Sequence, residues 1–508
     1  MRANGGRPVD ECKVDAAFLE HFRCPGRYAE FDIIDSDSSE CGFYRIGPNI
    51  VCYGHGASGW SASRASDHLY DLMTDVAWCD DAIRLPFSPR ELVGNLRHEN
   101  YVGSNGARSS QAVSNAYYLL RPLLPIAIRK HLQRAILRNG SRNGFPHWPV
   151  DTTVERLFET LMWLSLKRHN VDSIPFVWFW PDGFQSCAVM THDVETSRGL
   201  QFVPQLMDLD EAYGIRASFQ IVPEERYSVD QRTLAAIRER GFEVNVHDLN
   251  HDGRLFSSRE EFERRVVEIN RYGREFQAEG FRSAVLYRRM EWLAALEFSY
   301  DMSLPNNGRF EAQRGGCCSV MPFFSGQLLE IPVTTTQDYS LFHILRQYSI
   351  DLWKQQVATI AEHHGMASFI VHPDYVAEPR AQTTYEALLA FLKEQSRTWL
   401  ALPGDVSRWW KQRNEMTLTC TGNQWTVEGA GSERARVAYA SLDGDRIAYR
   451  LQSAFIPLAC EDISISFDHP IGAIVVGVAL ICSFFCSLFR APRIRPFSLG
   501  WSSVPGSE

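Results

Sequence analysis

The side chains best suited to chemistry in this chain stand where apolar runs end. In CAVMTHDVETSRGL, residues 187–200, an apolar run leads into Thr191, His192, Asp193, Val194 and Glu195. Two carboxylates one residue apart at the end of a buried strand are costly to place without a partner or a task. Later apolar runs end the same way. VHDLNHDG brings His247 and His251 four residues apart, GFRSAVLYR brings Arg282, and IVHPDY brings His372 and Asp374. Imidazoles and carboxylates gathered on one rim suit a divalent ion of the zinc class. Residues i and i+4 share one side of a helical turn, with Cβ atoms about 5–6 Å apart, so the spacing predicts that His247 and His251 converge on one ion. A third ligand from elsewhere leaves positions open for water and substrate.

Taken singly, each residue has a plain structural explanation. Asp193 or Ser197 could cap the helix that follows. Arg282 could be no more than a carboxylate's partner, and His372 a satisfied strand-end imidazole. Their joint placement at successive strand ends argues for one site.

Such a rim needs a scaffold, and the chain between about 185 and 400 supplies its pattern. Strand-like runs (CAVMTHD, RASFQIV, FEVNVHD, FRSAVLY, LLEIPVT, ASFIVHP) alternate with helical stretches, three of which end at glycine. That alternation predicts an α/β fold with a parallel sheet, closed or doubly wound. In either form, function gathers at the C-terminal strand ends. Residues 1–180 read as a mixed α/β N-terminal region. FYRIGPNIVCYG reads there as a strand pair turning at Gly47-Pro48, and LLRPLLPIAIRKHLQRAILRNG and TVERLFETLMWLSLKRHN as helices. Residues 416–452 alternate with period two between glycine-rich turns, which predicts a small antiparallel β module of about four strands.

Composition narrows the function class. A length of 508 residues suits two or three domains. The formal charge of −9 leaves no basic excess to neutralise phosphates, which argues against a nucleic-acid partner. The 12 cysteines are scattered without a CxxC pair and are expected to be free thiols in a reducing compartment. The first residues lack the apolar core of a secretory signal, so a cytoplasmic location is expected. Residues 471–489 contain no charge and approach the roughly 20 residues that span a bilayer. Arg490, Arg493 and Arg495 follow. The segment reads either as a transmembrane helix giving membrane association or as a buried C-terminal helix.

The order T-x-D-x-E, H-x-x-x-H, R-S-x, D-x-x-x-P and an apolar run ending in histidine resembles the polysaccharide deacetylase superfamily, the metal-dependent sugar N-deacetylases of carbohydrate esterase type. The motifs stand at residues 191–195, 247–251, 282–283, 301–305 and 369–375, within about residues 185–400. The resemblance implies a distorted (β/α) barrel of about seven strands and a divalent metal, Zn by preference. It also implies an N-acetylated sugar or glycan substrate, as in bacterial glycan biosynthesis. Position by position, it makes Asp193 the catalytic base, Glu195, His247 and His251 the metal ligands, Arg282 the arginine that orients the base, and His372 the general acid. Three departures stand out. Glu195 is one methylene longer than the usual aspartate, Ala284 replaces the usual proline, and Asp248 lies between the histidines, where it is expected to orient an imidazole. Two other readings keep the same scaffold: cleavage of a cyclic amide or imide at the same site, and a barrel that binds glycan without turning it over.

Overall fold

Seven short parallel strands account for the alternation between residues 185 and 400. The computed structural model describes residues 14–34, 40–79, 82–102, 144–422 and 424–452. The expected helix at 119–140 and the apolar segment 471–489 lie outside these residues. The strands are β1 (Ser186–Val194), β2 (Ala217–Ile221), β3 (Glu243–His247), β4 (Gly280–Arg282), β5 (Tyr300–Asp301), β6 (Leu328–Glu330) and β7 (Met366–Val371). They lie side by side in the order β6-β5-β4-β3-β2-β1-β7, each parallel to its neighbours. Phe323–Ser325 adds an antiparallel edge to β6, and Thr398–Ala401 runs parallel to the first half of β1.

The sheet curls until the chain leaving β6 meets β7. There the Thr334 hydroxyl donates to the Met366 carbonyl at 2.7 Å and accepts from the Ser368 N–H at 2.8 Å. The Thr335 hydroxyl donates to the Ser368 carbonyl at 2.8 Å, and the Thr335 N–H reaches the same oxygen at 3.3 Å. Threonine side chains therefore stand in for most of a strand ladder at this seam. This seam is one distortion of the (β/α) barrel, and the lack of an α-helix between β4 and β5 or between β5 and β6 is another.

Burial explains why the strands read as apolar runs. Every residue of β1 is buried, as expected for a parallel strand covered on both faces. The surrounding helices are amphipathic. Arg259–Glu275 buries Phe262, Val266 and Ile269 at helical spacing and leaves most of its charged residues outside, apart from Arg265, which is buried against Asp252 and Glu261. The helix after β1, Ser197–Ala212, is capped by neither Asp193 nor Ser197. The Thr196 hydroxyl accepts from the Gly199 N–H at 3.0 Å.

The flanking regions share a second apolar cluster. Helix α1 (Thr153–His169) packs with the hairpin Gly42–Ile46/Ile50–Gly54, whose turn lies at Gly47-Pro48 as expected. Residues 416–452 form two antiparallel pairs, and the second, Val437–Asp443 with Arg446–Leu451, takes Ser173–Val177 as a third strand. Buried Arg413 joins these parts by donating to the carbonyls of Trp178, Val177 and His21. The eight cysteines among the described residues are all free. No helix among those residues is long and apolar enough to cross a membrane.

Candidate active site

Alternation along β1 sorts its polar side chains. His192 points out to helix α2 (Ser197–Ala212), where its Nε2 lies 2.9 Å from Asp210 Oδ2 in a fully buried pair. Thr191 and Asp193 point the other way, into the barrel. Arg282, at the end of β4, reaches both across the lumen: its Nη1 donates to Asp193 Oδ1 at 2.5 Å and to the Thr191 hydroxyl at 2.9 Å. Its Nε donates to the Met302 carbonyl at 3.1 Å, so the guanidinium is held in place. Burial pushes the Asp193 carboxyl up, but Arg282, His247 and His372 outweigh it and hold the group below its usual range. Asp193 is thus an ionised, oriented carboxylate in a nearly dry site.

Two residues further on, Glu195 extends to the mouth of the barrel. Its Oε1 lies 2.8 Å from His251 Nε2, 3.7 Å from His247 Nε2 and 3.4 Å from His372 Nε2. Glu195, His247 and His251 each offer a ligand atom within 4.8 Å of the others. Neither buried Nε2 makes an aligned hydrogen bond: His251 Nε2 is opposed only by Glu195, and His247 Nε2 only by Asp193 and Glu195, each at 3.7 Å. His247 Nδ1 lies 3.1 Å from the Arg282 carbonyl, which fixes the ring and leaves Nε2 as its free nitrogen. Buried nitrogens without aligned hydrogen bonds call for an explanation. An ion between two imidazoles and a carboxylate supplies one, and the donor set suits Zn²⁺ and its neighbours.

The route by which the histidines meet differs from the helical expectation. His247 ends β3, and His251 lies in the following loop, with left-handed φ values of 57° at Asp248 and 55° at His251. The loop, not a helical turn, brings the ring centroids to 4.7 Å. Asp248 does not orient an imidazole. Its carboxylate accepts from the N–H groups of Leu249 at 2.7 Å and Ala284 at 3.3 Å, tying this loop to the one after β4. The Arg282 carbonyl takes the orienting role instead.

His372 follows β7 on the other side of Glu195. Its Nδ1 lies 2.7 Å from Asp338 Oδ1, and its backbone N–H donates to Asp338 Oδ2 at 2.7 Å. Burial would lower the imidazole pKa, but Asp338 and Glu195 hold it well above the usual range, so the ring carries its proton. Asp338 was not apparent in the sequence: it sits in TTTQDYS, with no spacing that links it to His372. The one available signal was a lone acidic residue shortly after a strand-like run. Asp301 of the D-x-x-x-P motif accepts from the backbone and hydroxyl of Ser303 and stays out of the ligand group. Asp374 belongs to neither ligand group, and its Oδ1 is buried without a hydrogen bond. The six expected residues, Asp193, Glu195, His247, His251, Arg282 and His372, therefore meet in one place.

Neither a protein-family model nor a curated protein matches the chain. Among solved structures it is similar to a Mycobacterium smegmatis protein provisionally named a polysaccharide deacetylase. The identity is 16% and the TM-score 0.40, over 49% of this chain and 98% of that one. It is also similar to Puue allantoinase, at 13% identity and TM-score 0.36 over 46% and 92%. A CE4 family pseudoenzyme from Bacillus anthracis matches at 15% identity and TM-score 0.29, over 45% and 66%. At these values the likeness carries no argument about the site, so the function is argued from the residues.

Proposed function

We propose that the protein is a metal-dependent hydrolase that removes an N-acetyl group from an amino sugar in a glycan or glycan precursor. The observation that carries this reading is the convergence of the buried Nε2 atoms of His247 and His251 on the Glu195 carboxylate, within 4.8 Å of one another, flanked by Asp193 on one side and His372 on the other. The substrate class is supported by the motif order in the sequence.

Amide hydrolysis needs a base for water, stabilisation of the charge that develops on the carbonyl oxygen, and an acid for the departing amine. Glu195, His247 and His251 would hold the divalent ion, Zn²⁺ by donor chemistry, which polarises a carbonyl and acidifies water when bound. Asp193, kept ionised by Arg282, takes the proton of the attacking water. His372, kept protonated by Asp338, gives its proton to the amine nitrogen as the C–N bond breaks. The acid and the base are both buried, so little bulk water competes with them.

The test is acetate release from N-acetylated amino sugars and their oligomers by the full chain supplied with zinc. Wild-type turnover that falls about 10²–10⁴-fold in Asp193→Asn supports the reading. Cyclic imides being cleaved while N-acetyl sugars are not would replace this substrate class. A zinc-loaded wild type that cleaves neither would sink the hydrolase.

A further inference from the structure

A second group of ligating side chains lies well away from the barrel rim in sequence and is unused by the proposed reaction. Cys41, His55 and Glu91 each offer a ligand atom within 4.8 Å of the others. Their convergence follows from the local fold. In the N-terminal hairpin Gly42 is paired with Gly54 and Phe43 with Tyr53. One step further along the same register sets Cys41 opposite His55, and residues directly opposite in an antiparallel pair have Cβ atoms about 4.5–5.5 Å apart.

The third member comes from the helix Pro89–Arg97, whose first turn carries Glu91. This helix comes close because Gly54 has no side chain: a Cβ there would stand 2.5 Å from Leu92 Cδ2 and 3.2 Å from Glu91 Oε1. Glu91 Oε1 accepts from the His55 N–H at 3.2 Å and lies 2.6 Å from His55 Nδ1. Asn95, one turn along, donates to the Tyr53 carbonyl at 3.0 Å and so fixes the helix on the strand. The backbone around the three side chains is thus set, while Cys41 and His55 are exposed and Glu91 is half-buried.

We infer that Cys41, His55 and Glu91 form a second metal site, one that takes a thiophilic divalent cation such as Zn²⁺. Thiolate, imidazole and carboxylate form a mixed donor set of the kind zinc takes, and three protein ligands leave the fourth position to water. In a tetrahedral zinc site the donors stand about 3.3–3.6 Å apart, from bonds of roughly 2.0–2.3 Å. The present spacing, at most 4.8 Å and 2.6 Å for the closest pair, is reached from there by side-chain adjustments of about an ångström. Without a cation, a half-exposed His–Glu pair contributes little to stability.

The inference does not depend on the proposed reaction, and sulfur makes it separable from the barrel site. Cobalt(II) bound by Glu195, His247 and His251 has no thiolate ligand, whereas cobalt at Cys41 gives a sulfur-to-metal charge-transfer band in the near ultraviolet. The experiment titrates metal-free full-length protein with Co²⁺ and then displaces it with Zn²⁺. The expected result is a charge-transfer band that saturates within the two equivalents both sites take, with about one equivalent sufficing in His247→Ala/His251→Ala, and that is lost on adding zinc. The band should be absent from Cys41→Ser, strongly weakened in His55→Ala, and unchanged in His247→Ala/His251→Ala. No charge-transfer band in the wild type, or one that survives Cys41→Ser, would overturn the assignment. Melting curves of the Cys41→Ser and His55→Ala proteins that match the wild type show that the loss is not unfolding.

Discussion

Replacing Arg282 by methionine should leave Asp193 inside the barrel without its closest cation, with only the imidazoles of His247 and His372 to offset its burial. The guanidinium is fully buried and makes its 2.5 Å contact with a carboxylate only 5% exposed. Removing one partner of a buried pair costs about 3–5 kcal/mol, most of it the penalty of the stranded charge. The pH dependence shows whether that is the cause. In the wild type Asp193 is held below its usual range, so its pairing stabilises the fold above the unfolded pKa of 3.8, and this is lost as the pH falls through the folded value. In Arg282→Met burial dominates and the carboxyl rises above 3.8, so the penalty appears as the pH rises and fades in acid. The difference between the two proteins should therefore be largest near neutrality and shrink toward pH 4. Asp193→Asn/Arg282→Met removes the charge as well and should cost about 1–3 kcal/mol less than the sum of the single changes. Urea unfolding of metal-free wild type, both single variants and the double variant at several pH values measures all of this. A difference that is constant with pH, together with additive single costs, would refute the reasoning, because the arginine would then be acting through packing alone.

Other consequences are simpler to test. Asp338→Asn removes the partner that keeps His372 protonated, so turnover should fall about 10²–10⁴-fold while bound metal stays unchanged. Metal loss in that variant would contradict the division between acid and ligands. Glu155 is 3% exposed and is pushed up to about 7 by burial, although Ser319 and Val320 donate to it. A raised carboxyl pKa stabilises the fold below the unfolded value of 4.5 and loses that contribution as the pH rises toward 7, about 3 kcal/mol in all. Glu155→Gln should flatten the stability curve over that window, and a curve parallel to wild type would show that the carboxyl does not titrate there. Gly280→Ala sets a Cβ 2.3 Å from the Tyr300 ring and should cost at least about 1–3 kcal/mol by overpacking. An unchanged unfolding midpoint would mean that β4 and β5 are less tightly packed than described.

The barrel was legible because parallel strands covered on both faces are mostly apolar, so β1, β2, β3 and β7 stand out as runs even though buried Ser218 and Gln220 interrupt β2 and Asn245 interrupts β3. β5 was not: two residues, Tyr300 and Asp301, leave no period to read. Asp193, Glu195, His247, Arg282 and His372 were findable because each ends or closely follows such a run. His251 was found by spacing, but for a helical reason the loop does not obey; left-handed backbone at Asp248 and His251 is invisible in a count of four residues. Asp338 was hidden because its partner lies 34 residues away and only the curl of the sheet brings β7 to it. The pairing of Ser173–Val177 with Val437–Asp443 was hidden in the same way, by sequence distance.

The central claim is that Glu195, His247 and His251 hold a divalent ion beside Asp193. Metal content by elemental analysis tests it most directly, on protein purified with zinc in a Cys41→Ser background so that the hairpin site does not contribute. About one equivalent in that background, lost in His247→Ala/His251→Ala and retained in His372→Ala, is the result the account predicts. No bound metal in a folded Cys41→Ser protein, or the same content after both histidines are removed, would contradict it.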